Sequence, residues 1–261
     1  MPRLLVPLLI LIISQVGCSL ESKIKATTDQ NATLMVQAQA IHTSALTIDA
    51  HADIEIPGKP SMYVGSDGLS KVSPQKMQKG GLNAVVMSLA VGPMPRNAEG
   101  YAAAKALAQT KLAAVNALAA DPANNTVIVK STTELSAAHT EGKTALILGF
   151  QNALILGKDV GAVDSLYNSG ARVFALTHMG HNDFADSSRT LFDGDTGTRE
   201  PDAEHGGLSA LGKVAVAKIN ALGGIMDISQ LSTEAAMQVM ALSSTPVIAS
   251  HSNVRALTSV S

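Results

Sequence analysis

The sequence predicts an α/β fold built on a parallel sheet. Short apolar, β-branched runs alternate with alanine-rich amphipathic stretches, the βα repeat of a parallel sheet. Each apolar run is near-continuous rather than alternating, as in strands buried on both faces. A chain of 261 residues with 46% hydrophobic content can bury a substantial core, as one α/β barrel or as two smaller domains.

The N-terminus stands apart from this pattern. After Met1-Pro2-Arg3 comes the apolar run Leu4 to Ile13, then "SQVGC" ending at Cys18. About ten apolar residues are too few to span a bilayer, which takes roughly 20. The segment has the build of a secretory signal over residues 1–17 and predicts export. Cys18 is the only cysteine, so no intramolecular disulfide forms. Its place after Gly17 resembles a bacterial lipobox, with Cys18 as the lipidated residue of a periplasmic, membrane-anchored protein. Gln15 departs from the aliphatic residue usual three places earlier, and ordinary secretion is the alternative. Residues 18–33 are polar and read as a tether, and residues 34–261 as the folded part. "LMVQAQAIHTSAL" has helical spacing and leads into the first strand.

Strands are predicted at Ala45 to Ala50, Ala84 to Leu89, Ala145 to Phe150, Arg172 to Thr177, Gly224 to Ile228 and Pro246 to Ser250. Helices are predicted at about Asn97 to Ala120, Ser131 to Glu141, Asp159 to Ser169, Ser209 to Leu222 and Thr233 to Leu242. Ser131 with Glu134 reads as a capping box, and Gly170 and Gly223 follow helix ends. The segment His181 to Gly207 is much longer than the usual 2 to 6 residues of a βα connection, which marks a functional or disordered loop. A net charge of -2, pI near 6.4 and scattered basic residues exclude a nucleic-acid partner.

Polar residues follow the apolar runs in series. Strand one leads into His51 and Asp53, strand three into Gln151 and Asn152, and strand four into His178. Strand five leads into Ser229 and Gln230, and strand six into His251. In a parallel fold these positions lie at one end of the sheet, where barrel active sites are built. Each alone has a structural reading: a hydrogen-bonded histidine, a turn-capping Asp53, a helix start at Ser229. Together, three of seven histidines at equivalent strand ends point to a shared site. His42 and His139 lie in helical stretches and are left as structural. Positions two apart in a strand face the same way, so His51 and Asp53 read as a metal clip for metal-assisted hydrolysis. "SHS" at Ser250 to Ser252 prompts a Ser-His hydrolase, but no G-x-S-x-G surrounds either serine.

The segments "TIDAHADI", "GGLNAVVMSLAV", "GFQNALILGKDVGAVDSLYNSGARVFALTHMGHNDFADSS", "GGLSALGKVAVAKINALGGIMDISQLS" and "PVIASHSNVRAL" together resemble the membrane dipeptidase, or renal dipeptidase, family. The resemblance runs in order from about Ala40 to the C-terminus. It implies a (β/α)8 TIM-type barrel that carries two zinc ions and cleaves dipeptides. His51 and Asp53 then match ligands of the first metal, and His251 a ligand of the second. Gln151 stands where the family has a bridging Glu, Gln230 where it has a second His ligand, and His178 matches the histidine that contacts substrate.

Both departures replace a ligand by a neutral amide. Two divalent cations about 3.5 Å apart repel by about 20 kcal/mol at an effective dielectric near 20, and a bridging carboxylate offsets part of this. Gln151 carries no such charge, so the second site is expected to be impaired, with one zinc or none held tightly rather than two. The resemblance also implies two further strands, with an arginine and an aspartate beyond Ser261. With about six of eight strands present, the chain is expected to be a fragment of a longer one. Two readings follow: an exported metallodipeptidase, or a degenerate relative that binds a peptide-like ligand or assists a periplasmic, siderophore-type maturation without hydrolysis.

Overall fold

The computed structural model describes residues 28–257 together with Lys25. The expected signal over residues 1–17 and the expected lipidation site Cys18 lie outside the described residues. The chain divides into two units, residues 1–46 and 47–261. In the first, residues 28–44 form helix α1, which takes in part of the stretch expected to be a tether. No described helix is long and apolar enough to cross a membrane.

The second unit is an α/β unit around a six-stranded parallel sheet. Its main strands are β1 (Ile48–Asp53), β2 (Ala84–Ala90), β3 (Thr126–Ile128), β4 (Thr144–Gln151), β5 (Ala171–Ala175) and, after the hairpin β6 (Phe192–Asp193) and β7 (Thr198–Arg199), β8 (Ile225–Asp227). The order is β1-β2-β4-β5-β8, with β3 also on β4. β4 is long enough to carry two neighbours on one side, β3 along Thr144 to Leu146 and β5 from Leu148 onward. Every residue of β2 is buried, and seven of the eight in β4, which is why their sequences are apolar runs.

Two predicted strands are corrected. β1 starts three residues later than expected because Ala45 still closes α1, its N–H bonded to the Ile41 carbonyl. β1 then runs on through the His-Ala-Asp segment, with a bulge where Asp49 pairs with Val85 and Ala52 with Met87. The run Pro246 to Ser250 makes only a parallel bridge, Ile248 beside Asp227. The sheet still reaches six strands because β3 was missed: three residues are too short a run to show periodicity.

The helices are α2 (Pro74–Gly80), α3 (Ala98–Ala120), α4 (Thr132–Thr140), α5 (Ala162–Asn168), α6 (Ala210–Leu222) and α7 (Thr233–Leu242). The polar α2 was not foreseen. Asn97, Ser131, Ser209 and Ser232 cap α3, α4, α6 and α7 with side-chain oxygens, each worth about 1 kcal/mol. At Ser131 the capping pair is shifted: Glu134 reaches back to the Lys130 N–H at 2.7 Å, one residue before the cap. The core centres on Leu146, Leu148, Phe150, Phe174, Ile219 and Met226, all at most 1% exposed. Burying each such side chain contributes about 1.5–3 kcal/mol.

The long connection between β5 and α6 is ordered by buried polar groups. Asp186 has a fully buried side chain that accepts the N–H groups of Glu204, His205 and Gly207. His181 accepts the Ser187 N–H at Nδ1 and pairs through Nε2 with the Pro201 carbonyl. Burial alone would raise the Asp186 pKa, but the backbone donors outweigh it and hold the carboxyl below its ordinary range. Asp186→Ala strands three backbone donors, that of Gly207 buried, and is expected to cost about 3 kcal/mol in urea unfolding. A loss under about 1 kcal/mol would contradict this anchoring role.

Candidate functional site

The C-terminal ends of the parallel strands open into one cleft of about 380 Å³. His51, Asp53, Gln151, His178, Gln230 and His251 all line it, so the residues read from the strand ends do meet. β1 carries His51 and Asp53, β4 ends on Gln151, and His178 and Gln230 each stand three residues past a strand. Of the other strand-end residues, Asn152 and Ser229 are structural. Buried Asn152 bonds the Val91 carbonyl and the Leu154 N–H, and buried Ser229 accepts the His251 N–H. His42 and His139 lie on α1 and α4.

The cleft geometry is set by hydrogen bonds behind it. Gln230 sits at φ +64, a left-handed conformation rare outside glycine, and its carbonyl is held by Thr177 Oγ1, the Ser188 N–H and Ser187 Oγ. Ser187 Oγ also donates to the His178 carbonyl at 2.6 Å. One element of the cleft wall thus fixes two site residues.

The imidazole and carboxylate donors that converge are not those expected. His51, Asp227 and His251 bring one ligand atom each within 4.8 Å of one another, and Asp53 is outside that group. Asp227, at the end of β8, is 1% exposed and accepts the N–H groups of Ser229 and Ser250 and the Ser250 hydroxyl. The Ser250 proton is thereby committed to Asp227, so the 2.7 Å contact between Ser250 Oγ and His251 Nδ1 has the ring N–H donating. His251 Nε2 is left as an acceptor, 3.3 Å from Gln151 Nε2. The His51 and His251 rings stack with centroids 4.0 Å apart and planes 28° apart.

Burial first, and then His251, push the His51 pKa down against the pull of Asp53, Asp227 and Asp49. Burial likewise pushes His178 down, aided by the Arg189 charge and opposed by Asp53. Neutral rings with free lone pairs are what a metal needs. Two further atoms support this reading: Gln230 Oε1 and His178 Nδ1 are buried with no hydrogen-bond partner among the described residues. The ligand atoms of His51, Asp227 and His251 therefore fit a metal ion, with Gln230 lining the same cleft.

Asp53 lines the same cleft. Its Oδ1 lies 3.9 Å from Lys111 Nζ of α3. Hydrogen bonding to the same carboxylate raises the Tyr63 pKa. Asp227, Lys111, Tyr63 and Arg189 are the site residues that sequence reasoning missed. Asp227 had a signal, an acid inside the apolar strand run "GGIMDIS".

The sequence matches the family model "Membrane dipeptidase (Peptidase family M19)" over residues 35–261. It is 33% identical to dipeptidase aclJ of Aspergillus oryzae over 119 residues, 46% of this chain and 26% of that protein. It is 30% identical to dipeptidase verJ of Clonostachys rogersoniana over 131 residues, 50% of this chain and 31% of that protein. Among solved structures it is similar to the probable dipeptidase PvdM of Pseudomonas aeruginosa, at 32% identity and a TM-score of 0.78, covering 88% of this chain and 57% of that one. The chain thus spans under a third of the length of these curated relatives and a little over half of that structure.

A histidine with a depressed folded pKa stays neutral in the fold where the unfolded chain is already protonated. Its stability contribution is full above about pH 6.5 and is lost as pH falls through the folded value. The ring-proton NMR midpoints of His51 and His178 in metal-free protein are expected below 6.5, with unfolding free energy declining from about pH 7 to 5. Midpoints at or above 6.5 would contradict the neutral-ring site.

Proposed function

The chain belongs to the membrane dipeptidase family, and we propose that it serves a metal-dependent hydrolase of dipeptide-like substrates. One observation carries the proposal: the stacked His51 and His251 rings share a cleft with two buried atoms, Gln230 Oε1 and His178 Nδ1, that have no hydrogen-bond partner among the described residues. The cleft volume of about 380 Å³ is at the small-ligand end of the usual range and suits a dipeptide. The names of the curated relatives, both dipeptidases, support the same substrate class.

His51, His251 and Gln230 would hold a zinc ion, which supplies Lewis-acid chemistry by polarising a carbonyl and acidifying water. Asp227 acts behind them by committing the Ser250 proton, which turns His251 Nδ1 toward Ser250 as a donor and leaves Nε2 on the side of Gln151. His178, held neutral by burial, would donate a ring N–H to the peptide oxygen as negative charge develops there. With residues 1–17 as an export signal and Cys18 as lipid anchor, this chemistry would take place in the periplasm.

The second reading, ligand binding or maturation without hydrolysis, also has a specific observation in its favour. The Gln151 amide already occupies the Nε2 side of His251 and brings no negative charge. Zinc content of the purified protein and a dipeptide hydrolysis assay separate the two. The first reading expects one zinc and turnover that falls with chelation; no metal and no turnover on added zinc would leave only the second. Gln151→Glu with Gln230→His is expected to tighten zinc binding by about tenfold or more, and unchanged uptake would refute the placement of both glutamines at the metal.

A further inference from the structure

We propose that Lys111 is a built-in cation for Asp53, which takes that carboxylate out of the metal-binding set and leaves one divalent-cation position at His51 and His251. The inference rests on the metal reading above.

The argument begins on α3. Its buried residues are Gly100, Ala104, Ala108 and Val115. Lys111 falls seven residues after Ala104 and four before Val115, on the same stripe, so a lysine stands where the helix otherwise faces the core. Lysine is rarely buried without a partner, because desolvating an ammonium is costly. The side chains of Lys111 and Asp53 are 13% and 19% exposed, and their charged ends are 3.9 Å apart. This is the one ion pair either residue makes among the described residues.

A divalent ion that uses Asp53 meets an ammonium already placed beside Oδ1 by a helix. Across the cleft the donors are in the opposite state: Gln230 Oε1 has no partner, and His251 Nε2 meets only an amide. The two sides are therefore not equivalent. Asp53 is neutralised from within the chain, while the histidine side is left for a diffusible cation. Lys111 is a positioning residue on this account, acting through Asp53 on the number of ions held.

Zinc titration of the whole chain against a chromophoric chelator tests this. Wild type is expected to bind one equivalent, and Asp53→Asn to shift that affinity by less than about threefold, since Asp53 is not on the ion. Lys111→Met is expected to admit a second equivalent or to tighten binding about tenfold, and the Lys111→Met/Asp53→Asn combination to cancel the gain. Lys111→Arg keeps the cation and should bind as wild type does. A loss of about tenfold or more in Asp53→Asn alone overturns the inference even if Lys111→Met fails to fold. Equal stoichiometry and affinity in wild type and Lys111→Met overturns it while leaving the metal reading intact. Zinc uptake by neither overturns both.

Discussion

A carboxylate buried inside a protein is tolerated when hydrogen bonds replace the water it gives up, and Asp227 meets that condition with three donors from Ser229 and Ser250. Much of the site depends on this one group. The segment after α7 touches the sheet through a single bridge and two backbone hydrogen bonds, Ile228 N–H to the Ile248 carbonyl and Ile248 N–H to the Met226 carbonyl. So short a pairing would fray at a sheet edge. Asp227 clamps its far end through both the N–H and the hydroxyl of Ser250, and His251 is the next residue. The same bonds that anchor the segment also choose the His251 tautomer, so the position and the protonation of the ring have one cause.

The cleft then divides by charge. The imidazoles from β1 and the segments after β5 and β8 stand with two carboxamides and atoms that lack a partner among the described residues; Asp53 instead has an ammonium from α3 beside it. This division accounts for the direction of the His51 and His178 shifts. Burial acts on both, and the carboxylates that could raise them are partly spoken for, Asp53 by Lys111 and Asp227 by its three donors. Arg189, supplied by the long loop, adds a positive charge near His178 in the same sense.

How much of this was legible in the sequence follows from what each residue depends on. β2 and β4 read directly because strands buried on both faces must be apolar throughout, and His51, Gln151, His178 and His251 read because a parallel sheet sends strand ends to one side. β3 and α2 were missed because three and seven residues carry too little period. The metal clip reached only as far as local spacing does. Spacing along a strand says that His51 and Asp53 share a face, but not what waits opposite each one. Lys111 comes from a helix 58 positions further on than Asp53, and no local pattern joins the two. The signal that existed was a lysine in the apolar register of α3, a local conflict of the kind that marks functional or strained positions.

That conflict bears on what the cleft can do. A lysine ammonium and a divalent ion are not interchangeable partners for a carboxylate. The ammonium neutralises charge, but it offers no open coordination position and does not bring bound water toward neutral pKa. If Asp53 is committed to Lys111, any hydrolytic work rests on the histidine side alone, with Gln151 adding no charge between the two halves. A fixed cation beside one exchangeable position would then make the number of ions a property of the chain. Whether one ion then suffices for turnover depends on how closely Asp227 holds His251 against His51, which returns the chemistry to the buried carboxylate on β8.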